Sequence, residues 1–98
     1  MITHVVAFRW KPGTTAEQVS VIHAELTALA SMVPTIRTYR VGADLGRSPL
    51  ANFDFAVVAT FDDLDGWQEY DVHPEHDRVR TAHIRPWIAE RAAVQFES

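Results

Sequence analysis

Apolar and polar positions alternate over the first ten residues, with Ile2, His4, Val6, Phe8 and Trp10 on one side and Thr3, Val5, Ala7 and Arg9 on the other. That period of two predicts a strand, which Lys11-Pro12-Gly13 ends. The period then lengthens. Val19, Ile22, Leu26 and Leu29 recur at helical spacing up to about Met32, with Thr14-Thr15-Ala16-Glu17 as a capping box at the start and Pro34 beyond the end. Ile36 to Val41 is β-prone and predicts a second strand, whereas Gly42 to Asn52 is rich in glycine, serine and proline and has no apolar period. A mobile or ligand-facing loop is expected there. Phe53 to Phe61 predicts a third strand, and Asp62 or Asp63 can cap a short helix through Tyr70. A further helix is expected to start at Pro74 and run toward Trp87, with Pro86 kinking or ending it, before a last strand over roughly Arg91 to Phe96.

The resulting β-α-β-β-α-β order is that of an α+β, ferredoxin-like fold, an antiparallel sheet with its helices on one face. A sheet solvated on its other face reads as polar there. This one does not: Val5 and Ala7 oppose Val6 and Phe8, while Ala56, Val58 and Thr60 oppose Phe53, Phe55, Val57 and Phe61. The pattern asks for a second sheet over the first, and a second copy of the chain is the expected partner.

Candidate chemistry concentrates in the nonapeptide Gln68 to His76, which holds Tyr70, His73, Pro74 and His76. The residue before a proline avoids the helical region, and proline suits the first position of a helix, so His73 falls at or near the cap and His76 in the first turn. Unsatisfied backbone N–H groups there disfavour an imidazolium, and a neutral histidine can accept a proton. Tyr70 closes the preceding helix and approaches the same corner. His4 shares a strand face with Ile2, Val6 and Phe8, which also suits a buried histidine satisfied by backbone or a neighbour. In the same way His73 can simply satisfy backbone groups at the helix start, and Tyr70 can pack its ring on the core. His76 is the better candidate of the two histidines in the motif. Trp67 and Trp87 read as core or interface, and His23 and His83 have no partner visible in the sequence.

Tyr70 followed by His73-Pro74-Glu75-His76, the early strand histidine His4, the run Asn52 to Asp62 and the terminal Ala92-Ala93-Val94-Gln95-Phe96 together resemble the stress-responsive dimeric α/β barrel domain. The resemblance covers nearly the whole chain. It implies two protomers pairing their sheets into a shared barrel, each with a small, mostly apolar pocket whose polar end carries His4, Tyr70 and His76. Phe8, Leu26 and His73 are the expected ligand contacts. The family includes plant stress proteins and a cofactor-free polyketide cyclase whose tyrosine and histidine match Tyr70 and His76. Leu26 departs from that cyclase, which has a pocket tyrosine at the corresponding position, and the start of the last helix, His76-Asp77-Arg78-Val79, is poor in glycine. Two functions follow from the resemblance. One is a module that holds a small apolar or aromatic molecule without turnover; the other is an enzyme needing no cofactor. In the enzyme His76 is the general base, Tyr70 orients it or polarises a carbonyl, and His4 hydrogen-bonds a substrate oxygen.

Composition narrows the field further. At 98 residues and 47% hydrophobic composition the chain has the size of one domain with a packed core. Nine basic and 13 acidic residues give a net charge of −4, and no basic tract interleaves with aromatics, so nucleic acid is not an expected partner. With no cysteine there is no disulfide or thiolate site, and no apolar run has the length of a signal segment or membrane span. A cytoplasmic protein is expected. His73 and His76 with His4 make only a weak metal pattern, and no metal is expected. Nucleophile elbows, phosphate loops and dinucleotide fingerprints are missing from a chain with 4 glycines. The acidic run Asp62, Asp63, Asp65 reads as helix capping.

Overall fold

Strand β1 (Ile2–Trp10) pairs antiparallel with β3 (Phe55–Phe61) on one side and β4 (Ile88–Glu97) on the other, and β2 (Ile36–Ala43) adds to the far edge of β3. The computed structural model, which describes residues 1–98, thus has one four-stranded sheet of order β2-β3-β1-β4. Helix α1 (Ala16–Met32) connects β1 to β2. Helices α2 (Leu64–Asp71) and α3 (Pro74–Val79), followed by a π-helical turn at Arg80–Ile84, connect β3 to β4. This is the expected ferredoxin-like order.

Alternation decides which face is covered. Ile2, His4, Val6 and Phe8 of β1 and Phe55, Val57, Ala59 and Phe61 of β3 are buried beneath the helices. From the helices Ile22, Leu26, Leu29, Tyr70, Val79 and Ile84 close this core, and Trp10, Trp67 and Trp87 pack against its margin. On the opposite face Val94, Val5 and Val58 stand side by side across three strands, next to a row of Ala92, Ala7, Ala56 and Gly42. Val94 and Phe96 remain 58% and 48% exposed in the single chain. That face carries no helix.

Several boundaries differ from the sequence reading. The capping box is Thr15 with Gln18, one residue later than expected: Gln18 N–H donates to Thr15 Oγ1 at 3.2 Å, and Thr15 N–H to Gln18 Oε1 at 2.8 Å. Thr14 instead donates its hydroxyl to the Lys11 carbonyl. Strand β3 begins at Phe55 because Asp54 leaves the ladder, donating its N–H to the Phe8 carbonyl and accepting from Trp10 N–H. β4 begins at Ile88, not Arg91. The loop after β2 is tied at its neck, since Asp44 accepts from Gly46 N–H at 2.8 Å and from Asn52 Nδ2 at 3.0 Å.

The helix from Pro74 does not continue to Trp87 as an α-helix. It widens after Val79, and Arg85 N–H donates to the Arg80 carbonyl at 2.9 Å, an i→i+5 bond. The reason lies in what must be buried. Val79 and Ile84 are the two buried residues of this segment, and a separation of five puts them on different sides of an α-helix but close to one side of a π-turn. Pro86 then ends the segment, having no N–H to continue it.

Leu29, fully buried where α1 meets the sheet, sets the expected stability response. Leu29→Ala should cost about 2–5 kcal/mol in urea unfolding. Thr15→Ala, which removes only the cap, should cost about 0.5–2 kcal/mol.

Candidate functional site

A cavity of about 400 Å³ lies between the helices and the sheet. Its floor is Val6 and Phe8 of β1 with Val57 of β3, and Leu26 of α1 and Ile84 of the π-turn form its sides. His4, Tyr70 and His76 line it as well. Strand alternation brings His4 here, in step with Val6 and Phe8. The corner between α2 and α3 brings the other two.

That corner follows from its own sequence. His73 is extended, with ψ 135°, as a residue before proline must be, and its Nδ1 accepts from Glu75 N–H at 3.1 Å to cap α3. His73 was expected to contact ligand; its Nδ1 is taken up by the cap and the residue is not part of the cavity wall. One turn on, His76 folds back over α2. Its imidazole stacks on the Tyr70 ring at 4.2 Å between centroids and 27° between planes, and its Nδ1 lies 3.1 Å from the Asp71 carbonyl oxygen. A carbonyl only accepts, so Nδ1 carries the proton. In the neutral ring Nε2 then holds a free lone pair, and no protein group bonds to it.

His4 makes a weaker contact: its Nδ1 lies 3.5 Å from Gln95 Nε2, at the outer limit of a hydrogen bond. Of the two imidazoles, His76 is the one whose bonding leaves an acceptor for the cavity. Burial pulls His4 below its ordinary value of 6.5, with the Arg91 guanidinium adding to the effect. Burial likewise lowers His76, against the opposing pull of its bond to the Asp71 carbonyl. Both rings are neutral at pH 7, given an unperturbed value of about 6.5.

Tyr70 meets an unforeseen partner. Its hydroxyl lies 2.9 Å from the Tyr39 hydroxyl of β2, and burial raises both phenols above their ordinary value. Tyr70 therefore acts through its ring on His76 and stays protonated. Asp71, Arg80, Arg85, Ile88 and Arg91 complete the wall. Arg80 reaches the Asp71 carboxylate at 3.6 Å and that of Asp77 at 3.2 Å. The signal for Arg91 was the alternation of β4: once the strand starts at Ile88, Arg91 pairs opposite Phe8 and so faces the helices. Nothing local marks Tyr39, which depends on the pairing of β2 with β3.

The loop at Gly42 to Asn52, expected to be mobile or ligand-facing, contributes nothing to this cavity. It borders a separate shallow depression with Phe53 and Ala56. No group of three or more histidine and acidic side chains is arranged to hold a metal ion. No helix is long and apolar enough to cross a membrane.

The fold and the Tyr70–His76 corner together define a family. The sequence pattern of the stress-responsive A/B barrel domain matches residues 2–98, and the chain belongs to that family. Among solved structures it is similar to a dimeric ferredoxin-like protein of unknown function from Thermobifida fusca, at 41% identity and a TM-score of 0.91, covering 99% of this chain and 90% of that one. A dimeric protein of unknown function with a ferredoxin-like fold from Bacteroides fragilis aligns at 26% identity and a TM-score of 0.84, covering 99% and 95%. A hydroxynitrile lyase from Passiflora edulis shares the fold at 19% identity and a TM-score of 0.83, covering 97% and 90%. No curated protein matches the sequence.

The lowered histidines predict a pH dependence of stability. Above the unfolded value of 6.5 both states hold neutral rings and the full contribution is present. As pH falls below it, the unfolded chain takes up protons first, so stability is lost progressively down through the folded values. Urea unfolding from about pH 7.5 to about pH 5 should show this decline, and a His4→Gln/His76→Gln variant should show a flatter one. Equal slopes would contradict the assignment.

Proposed function

We propose that the protein is a homodimeric stress-responsive barrel domain whose protomers each hold one small, largely apolar or aromatic molecule in the cavity between helices and sheet. The observation that carries this is convergence: His4 near the start of the chain and the Tyr70–His76 corner line one cavity of about 400 Å³ together with Phe8 and Leu26. That volume lies in the usual range for small-molecule sites, as does the mixture of apolar wall and a few polar groups. Two features support the dimer: the uncovered apolar face of the sheet, and the dimeric state named for the relatives from Thermobifida fusca and Bacteroides fragilis. The row of Ala92, Ala7, Ala56 and Gly42 beside the valine ridge gives a facing sheet room to approach.

A second reading rests on the His76 tautomer. With a lone pair on His76 Nε2 and the His4 ring lining the same cavity, the site can take a proton from a substrate carbon while His4 hydrogen-bonds a substrate oxygen. The chemistry this permits is a cofactor-independent cyclisation, isomerisation or other proton transfer. Tyr70 positions the base by stacking. Its neutral phenol, bonded to Tyr39, is not itself the base.

Sedimentation velocity at micromolar concentration should give a dimer, and Val5→Lys, at the centre of the apolar ridge, should give a folded monomer. A wild-type monomer would refute the sheet-face interface.

Substitution of the histidines separates the two readings. His76→Ala should weaken ligand binding at a cost of about 1 kcal/mol for the lost hydrogen bond. His73→Ala should leave binding intact and cost about 0.5–2 kcal/mol in stability through the lost cap. His76→Asn keeps a donor for the Asp71 carbonyl but has no base. An enzyme would keep binding and lose turnover in that variant; a binding module would have no turnover to lose. If His76→Ala unfolds the chain while His73→Ala spares it, His76 is structural and the site reading fails.

A further inference from the structure

The cavity has a charge that its apolar floor does not suggest. In a chain of net charge −4, three arginines, Arg80, Arg85 and Arg91, meet at one cavity whose single acidic residue is Asp71. Arg80 is engaged by Asp71 and Asp77. Arg85 and Arg91 have no carboxylate partner: Arg85 makes only a 3.3 Å bond to the Thr81 hydroxyl, and Arg91 makes no side-chain hydrogen bond or ion pair. Elsewhere Arg9, Arg37 and Arg78 are each paired with an acidic side chain and Arg40 and Arg47 are not, so what sets Arg85 and Arg91 apart is their place at the cavity. Two unpaired guanidiniums therefore stand at the exposed margin of the cavity, on different elements. Arg85 follows the π-turn, and Arg91 projects from β4 on the face of Phe8.

The third arginine carries an unfilled donor. Arg80 Nε is buried without any hydrogen-bond partner, although the terminal nitrogens of the same guanidinium are bonded. A buried N–H left unpaired is unfavourable, and, being closed off, this one is not offered to a ligand. The charges also reach inward: Arg91 acts on His4 and Tyr70, and Arg80 on Tyr70 and His76.

We propose that the cavity takes a small amphipathic carboxylate, its anion held by Arg85 and Arg91 at the mouth and its apolar body lying against Phe8, Leu26, Val57 and Ile84. This rests on reading the cavity as a small-molecule site and adds the charge of its ligand. A planar guanidinium matches a carboxylate through two parallel hydrogen bonds, and two guanidiniums from different elements fix its direction. The cavity is large enough for an aryl group with a short chain, and most of its wall is apolar. The anion would sit at the exposed margin, where desolvation is smallest, and the body in the buried part.

Calorimetric titration of the whole protein at about pH 7.5, with carboxylates ionised and both histidines neutral, decides the matter. The probes are benzoate, 3-phenylpropionate and 4-phenylbutyrate, each beside its primary amide. The acids should bind at least about tenfold tighter than the amides, and raising the salt should erode the difference. Arg85→Gln/Arg91→Gln should bring acid and amide to within about threefold of each other while leaving the amide's affinity unchanged. Both residues are exposed and unpaired, so the variant should fold, and Arg85→Lys/Arg91→Lys should keep part of the preference as a check on charge. Equal affinity of acid and amide for the wild-type protein overturns the carboxylate assignment and leaves the small-molecule site standing. A preference that survives in the glutamine variant overturns the role of these two arginines. If no acid or amide binds at all, the small-molecule reading itself fails, and this inference with it.

Discussion

Strand β1 is hydrogen-bonded along both edges, to β3 and to β4, and the orientation of every surface in the molecule depends on that double pairing. Side chains alternate with period two, so a slip of one residue would exchange the buried set Ile2, His4, Val6 and Phe8 for Thr3, Val5, Ala7 and Arg9. Such a slip is heavily penalised, because Val6 and Phe8 would lose their core and Arg9 would enter it. Register is therefore strongly specified. It carries His4 to the cavity and, through Phe8 opposite Arg91, carries a guanidinium to its mouth.

The second determinant is local. Pro74 forbids the helical conformation at His73, which separates α2 from α3 by a bend and lets His76 lie back over Tyr70. The Asp71 carbonyl, left free near the end of α2, then fixes the His76 tautomer. The bend, the stack and the proton position come from six residues, Tyr70 to Glu75, together with His76 itself. Burial of the same corner keeps the ring neutral. Hydrogen bonding to Asp71 opposes that trend, and burial is the larger effect.

How legible each part was follows from the range of the interactions that decide it. The strands, the first helix, a cap at Asp62 or Asp63, which falls on Asp63 where its carboxylate accepts from Gly66 N–H, and the break before Pro74 are set by periodicity and backbone sterics, which a sequence displays directly. The His4, Tyr70 and His76 grouping was legible through the family resemblance, since three residues on different elements have no joint signal in spacing. Tyr39 was not legible: it meets Tyr70 only because β2 pairs with β3 in one register. Nor was the π-turn, because an α-helical period carries Val79 on to Ala82 or His83, whereas the core takes Val79 and Ile84. Arg80 and Arg85 line the cavity from the two ends of that wider turn. His73 was legible as a cap, and the structure shows its Nδ1 taken up by Glu75 N–H and its side chain outside the cavity lining.

The pleat also couples the two proposed surfaces. Even-numbered residues of β1 from Ile2 to Phe8 line the core and cavity, while Thr3, Val5 and Ala7 lie on the open face, so the dimer interface and the ligand site are the two sides of one strand. A cavity floor made by an uncovered sheet would have only water behind it, and the strand could flex with each pleat. Covering the valine ridge with a second sheet removes that freedom, because a packed interior resists small displacements. On this account the dimer does more than hide an apolar face. A second sheet there would stiffen the wall that carries His4, and the precision of the proposed site would then depend on a surface that faces away from the cavity.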